Sequence, residues 1–197
     1  MRYDEDHKAG TRARVLAEAG REIRAKGPAG VAVAGVMARA GLTHGGFYAH
    51  FASKDELIAE TISAMFDEVQ SRFDRDLSTR DPGSALAAYV DFYLSKRHRN
   101  ARERGCPIAA LSSDSPRLPA AARLRFGDGV ARLGGWLGDA LERHGVADAE
   151  AAGKAMLAEL VGAISLARSI EDAAQSDSIL DAARADLKHR FRLGLTA

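Results

Sequence analysis

Apolar residues recur at helical spacing through almost the whole chain. Val15, Leu16, Ala19 and Ile23 set the phase of a first helix from about 8 to 26, which the glycines and proline of KGPAG end. Short helices are predicted at about 33–39 and 44–50. Ser53 then opens SKDE, a capping box. In it the Ser53 hydroxyl would accept from the Glu56 N–H while the Glu56 carboxylate reaches back to the N–H of Ser53. A long helix should therefore run from about 54 to 79. TRDPGS interrupts the pattern, a helix follows at about 83–103, and GCPIAALSSDSPRLP, with three prolines, reads as short turns. Longer helices fill about 119–144, 149–172 and 177–193. The pattern has no strand alternation, low-complexity tract or internal repeat. The expectation is an all-α protein of about nine helices, with a small N-terminal unit and a larger C-terminal one.

Composition narrows the class. With 197 residues, 46% hydrophobic and 28% charged, the chain can bury a substantial core. No run of about 18 apolar residues exists, and MRYDEDHKAG lacks the apolar stretch of a secretory signal, so no membrane span is predicted and the cytoplasm is the expected address. A single cysteine, Cys106, excludes an intrachain disulfide and fits a reducing compartment. Net charge is +1, but residues 1–54 hold nine Lys/Arg against five Asp/Glu, so the basic excess is N-terminal.

The segment 44–50 departs from an ordinary surface helix. At about 100° per residue, Phe47 and Phe51 share one face and Leu42 can join them as core, while Gly45 and Ala49 occupy the opposite face. His44 and Tyr48 line one flank, Gly46 and His50 the other. An exposed helix is normally covered with Lys, Glu or Gln, and a glycine in a helix costs about 1 kcal/mol relative to alanine. A face stripped to backbone and edged with polar rings suits close approach to a partner, and the major groove of B-DNA admits such a helix.

The run from about 8 to 60 resembles the DNA-binding domain of TetR/AcrR-type transcriptional regulators, carried by VMARAGLTHGGFYAHFASKDEL. The resemblance implies Ala40, Gly41 and Leu42 at the turn of a helix-turn-helix, Thr43 capping the recognition helix, and a linking helix opened by Ser53, Lys54 and Leu57. Two positions depart from the family pattern. Ala32 stands where Thr or Ser usually caps the second helix, and Met37 where alanine usually lies. Chemistry and resemblance together give Thr43, Tyr48, His50 and Lys54 as phosphate contacts and His44, Gly45, Gly46 and Ala49 as the groove-facing residues.

Beyond residue 60 the resemblance implies an architecture only: a DNA-binding domain over 1–53 and a ligand-binding and dimerisation domain over 54–197. The family cavity among the central helices points to Tyr89, Phe92, Tyr93, Phe126 and Trp136, with Cys106 nearby, as a lining for an apolar or aromatic small-molecule inducer. The apolar stripes Met156, Leu157, Leu160, Val161, Ile164, Ala167 and Leu180, Ala183, Leu187, Phe191 are core or, as the family implies, part of a homodimer interface through the two C-terminal helices. The expected function is a repressor released from a near-palindromic double-stranded DNA operator by its inducer. Two alternatives remain open at this point. One is a redox or electrophile sensor in which Cys106, before Pro107, caps a short helix with a lowered thiol pKa; the other is an all-α ligand-binding protein without DNA binding.

Catalysis has no constellation to support it. The six histidines and one cysteine show neither H-E-x-x-H nor C-x-x-C spacing, so no metal is expected. FGDGVARLGG lacks the dinucleotide-binding pattern and fits close helix packing, no cofactor is implied, and Ser112, Ser113 and Ser115 read as turn formers.

Overall fold

The computed structural model describes residues 2–78 and 80–194, with side chains from 7 to 75 and from 80 to 194. Among them are nine α-helices: α1 (Arg2–Lys26), α2 (Val33–Arg39), α3 (Lys54–Ser78), α4 (Pro82–Tyr93), α5 (Lys96–Asn100), α6 (Pro107–Leu111), α7 (Ala120–Arg143), α8 (Ala149–Ser169) and α9 (Ala173–Arg190). Short 3-10 helices lie at His44–Ala49, Arg102–Arg104 and Ser115–Arg117, and the described residues contain no strand. The all-α expectation holds.

Helix α1 starts at Arg2 rather than near 8, and three further boundaries differ from the periodic reading, each for a local chemical reason. The helix expected over about 83–103 is broken after Tyr93, because the Ser95 hydroxyl accepts the His98 N–H at 3.1 Å and starts α5 afresh. The proline-containing stretch read as turns holds α6, with Pro107 at its first position. Helix α9 begins at Ala173 rather than near 177, since Asp172 accepts from the Gln175 N–H at 2.7 Å.

The chain divides into two compact units. One comprises residues up to Glu68 together with Cys106–Gly129. Its core is built from Val15, Ala19 and Ile23 of α1, Val36 and Met37 of α2, Phe47, Phe51, and Leu57 and Ile62 of α3, all buried. The Phe66 ring packs edge-on against Phe126 at 5.9 Å. The other unit comprises Val69–Gly105 and the chain from Val130 onward. There α8 packs most extensively on α9, and α4 and α5 pack against them.

The apolar stripes of α8 and α9 are consumed inside this second unit. Met156, Leu157, Leu160, Ile164 and Ala167 are buried, as are Leu180, Leu187 and Phe191, while Val161 and Ala183 are half-buried. The exposed positions of the two helices include small residues, Ala151, Ala155, Ala158 and Ser169 with Leu166 on α8 and Ala174, Ser178, Ala182 and Ala185 on α9, beside charged and polar ones such as Glu150, Lys154, Gln175, Asp181 and Asp186.

Candidate nucleic-acid interface

Helix α2 ends in a tight turn that only glycine fits well. Gly41 has φ +75°, its N–H donates to the Ala38 carbonyl at 3.0 Å, and the Leu42 N–H donates to the Met37 carbonyl at 2.9 Å. This paired closure of a helix end needs a left-handed residue just past the cap. The chain then extends through Thr43 (φ −79°, ψ 152°) and enters the segment His44–Ala49.

That segment is a 3-10 helix, not the α-helix its spacing predicts. With about three residues per turn, Gly45 aligns with Tyr48 and Gly46 with Ala49. Phe47 is buried and stacks on Phe51 at 5.7 Å, so the predicted inner face holds, although Leu42 is only half-buried. His44, Gly45, Tyr48 and Ala49 are exposed, and Gly46 and His50 are half-buried. Tyr48 is 72% exposed, the largest value among the exposed large hydrophobic side chains, its ring resting edge-on against Phe47 at 5.2 Å. Thr43 makes no side-chain cap bond. The tighter helix explains why: the Gly46 N–H, which a capping hydroxyl would take, already donates to the Thr43 carbonyl at 3.1 Å.

The two glycines are not required by the fold. A Cβ on Gly45 would meet nothing within 4 Å, and one on Gly46 would make ordinary contacts with Thr43 and Met37 at 3.7 and 3.9 Å. Neither has positive φ. The bareness of this surface therefore has no internal cause.

Residues distant in sequence hold the segment in place. The Arg12 guanidinium donates to the His50 carbonyl, pairs with Glu60 of α3, and lies 4.3 Å from the Phe51 ring centroid. Glu22 of α1 is buried and pairs with Arg39 of α2 and, at 3.4 Å, with Lys26. Burial raises its pKa, but the hydrogen bonds and charges of Arg39 and Lys26 outweigh that and hold the carboxyl below its ordinary value. Sequence reasoning missed both residues as positioning groups. For Glu22 the signal was a charge beside Ala19 and Ile23, on the buried stripe of α1.

The capping box forms with a shift. The Glu56 N–H donates to the Ser53 hydroxyl at 3.1 Å, while the Glu56 carboxylate passes Ser53 and accepts the Ala52 N–H at 2.5 Å. Lys54 is half-buried, with its ammonium 3.4 Å from the Ala29 carbonyl. Burial first, then the nearby charges of Lys8 and Arg12, lower the pKa of His50 and favour its neutral imidazole. Its buried Nδ1 finds no partner among the described residues.

Ala32 stands at the N-cap of α2 (φ −97°, ψ 105°) without a side-chain bond, as the sequence predicts. Ala32→Thr is expected to raise stability by about 0.5–2 kcal/mol, read as a higher urea midpoint. An unchanged midpoint would mean that a hydroxyl there cannot reach the free N–H groups of α2.

The residues predicted to line a ligand site are divided between the two units. In the second unit Tyr89 packs against Phe73 (4.8 Å), Tyr93 (5.8 Å) and Trp136 (6.0 Å), and the indole N–H of Trp136 donates to Asp74 at 3.1 Å. Phe92 is 36% exposed and stacks on His98 at 5.5 Å. Phe126 and Cys106 belong to the first unit, where Cys106 is buried at the N-cap of α6 without a side-chain cap bond. Phe73, absent from the sequence-based set, is the ring that Tyr89 meets at the shortest of these distances. Among the described residues no group of three His, Cys, Asp or Glu side chains could hold a metal ion, and no helix is long and apolar enough to cross a membrane.

Residues 15–61 match the profile of bacterial regulatory proteins of the tetR family. Over nearly the whole chain the fold is similar to a TetR-family transcriptional regulator from Agrobacterium tumefaciens (24% identity, covering 90% of this chain and 97% of that one, TM-score 0.76). It is similar also to the reduced form of NemR from E. coli (21%, 91% and 97%, TM-score 0.79) and a TetR regulator from Chloroflexus aurantiacus (23%, 93% and 96%, TM-score 0.76). No curated protein matches the chain.

Proposed function

We propose that this chain, whose residues 15–61 match the profile of the tetR family of bacterial regulatory proteins, is a homodimeric DNA-binding repressor, released from a near-palindromic operator by a small apolar or aromatic inducer. The observation that carries the DNA-binding role is the exposed surface His44, Gly45, Tyr48 and Ala49, bare where the fold demands no bareness. A backbone without side chains can approach the floor of the major groove. In this reading Tyr48, Thr43 and Lys54 contact phosphates, and His50, favoured as neutral, contributes a hydrogen bond rather than a charge.

The remaining roles rest on the second unit and on the family. In this reading residues 1–53 act as the DNA-binding domain and 54–197 as the ligand-binding and dimerisation domain, in the cytoplasm. The exposed small residues of α8 and α9, with Leu166 among them, would let backbones of two copies approach closely, which supports a four-helix dimer interface. The Tyr89, Tyr93, Phe73 and Trp136 rings supply an aromatic setting for the inducer. The burial of Cys106 favours a packing role for its thiol over a sensing one.

Gly45 separates a DNA surface from an ordinary one. Gly45→Leu should leave the unfolding midpoint unchanged or raised, yet weaken operator binding about tenfold or more, the scale of one disrupted base-pair interaction. Tyr48→Ala should weaken binding without unfolding. Lys54→Ala should flatten the dependence of log K on log salt by about one unit for each phosphate that the ammonium neutralises. Full-strength binding by all three variants would remove this segment as the interface.

A further inference from the structure

The second unit carries a basic groove that the DNA-binding role does not use. It lies between α5, with the 3-10 turn after it, and the junction of α8 and α9, and it has a volume of about 360 Å³. Arg99, Arg102 and Arg168 line it, against a single acidic side chain, Glu171. Its apolar wall is Ala167, Ile170 and Ala173.

Two of the three arginines are held in place from behind. Arg99 donates to the Ser176 hydroxyl at 2.6 Å and to Asp177 at 2.8 Å, and Asp177 is also paired with Lys96 at 2.7 Å. Arg168 donates to the carbonyls of His98 and Arg99 at 3.0 and 3.2 Å, closing the end of α5. Arg102 is exposed and has no ion-pair partner among the described residues. Counting Lys96 and Asp177 with the lining, the groove keeps an excess of positive charge. Two fixed guanidinium groups, a third free to close and an apolar wall make an arrangement suited to an oxyanion attached to a hydrocarbon body.

We propose that the groove formed by Arg99, Arg102, Arg168 and Ile170 binds a small organic anion, a carboxylate or phosphate monoester with an apolar group. The anion would face the arginines and the apolar group would rest on Ala167 and Ile170. Such a ligand bridges α5, the end of α8 and the start of α9. The proposal is independent of whether the aromatic cluster binds an inducer.

The test is calorimetric titration of the full chain with phenyl phosphate and, separately, benzoate, at constant ionic strength with chloride as the replaced ion. Saturable binding of either is expected. Arg102→Gln should weaken it about fivefold or more, as removal of a charge-assisted hydrogen bond does. Arg97→Gln removes an exposed charge from the same α5 but not from the groove, and should leave binding unchanged. The proposal fails if neither anion binds saturably, if Arg102→Gln binds like the parent, or if Arg97→Gln loses as much as Arg102→Gln.

Discussion

Replacing Gly153 by valine is expected to destabilise the folded chain by about 3 kcal/mol or more, as overpacking against backbone does. Gly153 is buried on α8 at its crossing with α7. A Cβ there would strike the Gly138 N and lie 2.7 Å from both the Gly134 carbonyl oxygen and the Gly138 Cα. These are main-chain atoms of a helix and cannot swing aside, so the two helices would have to separate along a buried seam. Gly127 of α7 is the control, because a Cβ on it meets nothing within 4 Å. Gly127→Ala should raise stability by roughly 0.5–1 kcal/mol. Urea unfolding of the two variants checks both signs, and a parental midpoint for Gly153→Val would show that the helix backbones do not meet at this point.

The second large effect is acid-induced. His98 is buried, its ring packed edge-on against Tyr93 at 4.7 Å and stacked on Phe92, with Nδ1 2.7 Å from the Tyr93 carbonyl. Burial pushes its pKa from the ordinary 6.5 to about 4, the hydrogen bond to Tyr93 opposing and the charges of Arg168 and Arg72 adding to the fall. The folded state therefore refuses a proton that the unfolded chain accepts. Stability is fully present above about pH 6.5 and is lost as pH falls towards 4, by about 3 kcal/mol in all. His50, shifted in the same direction, adds to the trend. Comparing unfolding free energies at pH 7.5, 6 and 5 for the parent and His98→Gln isolates the larger share. Parallel profiles would rule out His98 as its source.

The helix-turn-helix was legible because its determinants are local. Helical spacing of Val15, Ala19 and Ile23, the Gly41 turn, Phe47 and Phe51 on one side, and Ser53 with Glu56 all act within a few residues of one another. Periodicity and capping encode that kind of interaction directly. The same locality explains the small errors. Whether His44–Ala49 winds as 3-10 or α, and whether Glu56 reaches Ser53 or Ala52, depends on differences of a residue or less that spacing cannot resolve.

Tertiary structure decided the rest. Arg12 and Glu60 lie 48 positions apart, Arg99 and Ser176 lie 77 apart, and no period connects them. Residue type alone marks Arg12 and Glu22 as surface charges; only the packing of α1 on its neighbours brings Arg12 to the His50 carbonyl after segment 44–49 and Glu22 to Arg39 of α2. An apolar stripe records that a helix face is buried but not against what. The stripes of α8 and α9 thus look the same whether they face each other or a second copy. Folding settles that they are largely consumed within the chain, because burial is a property of where a face ends up rather than of its composition.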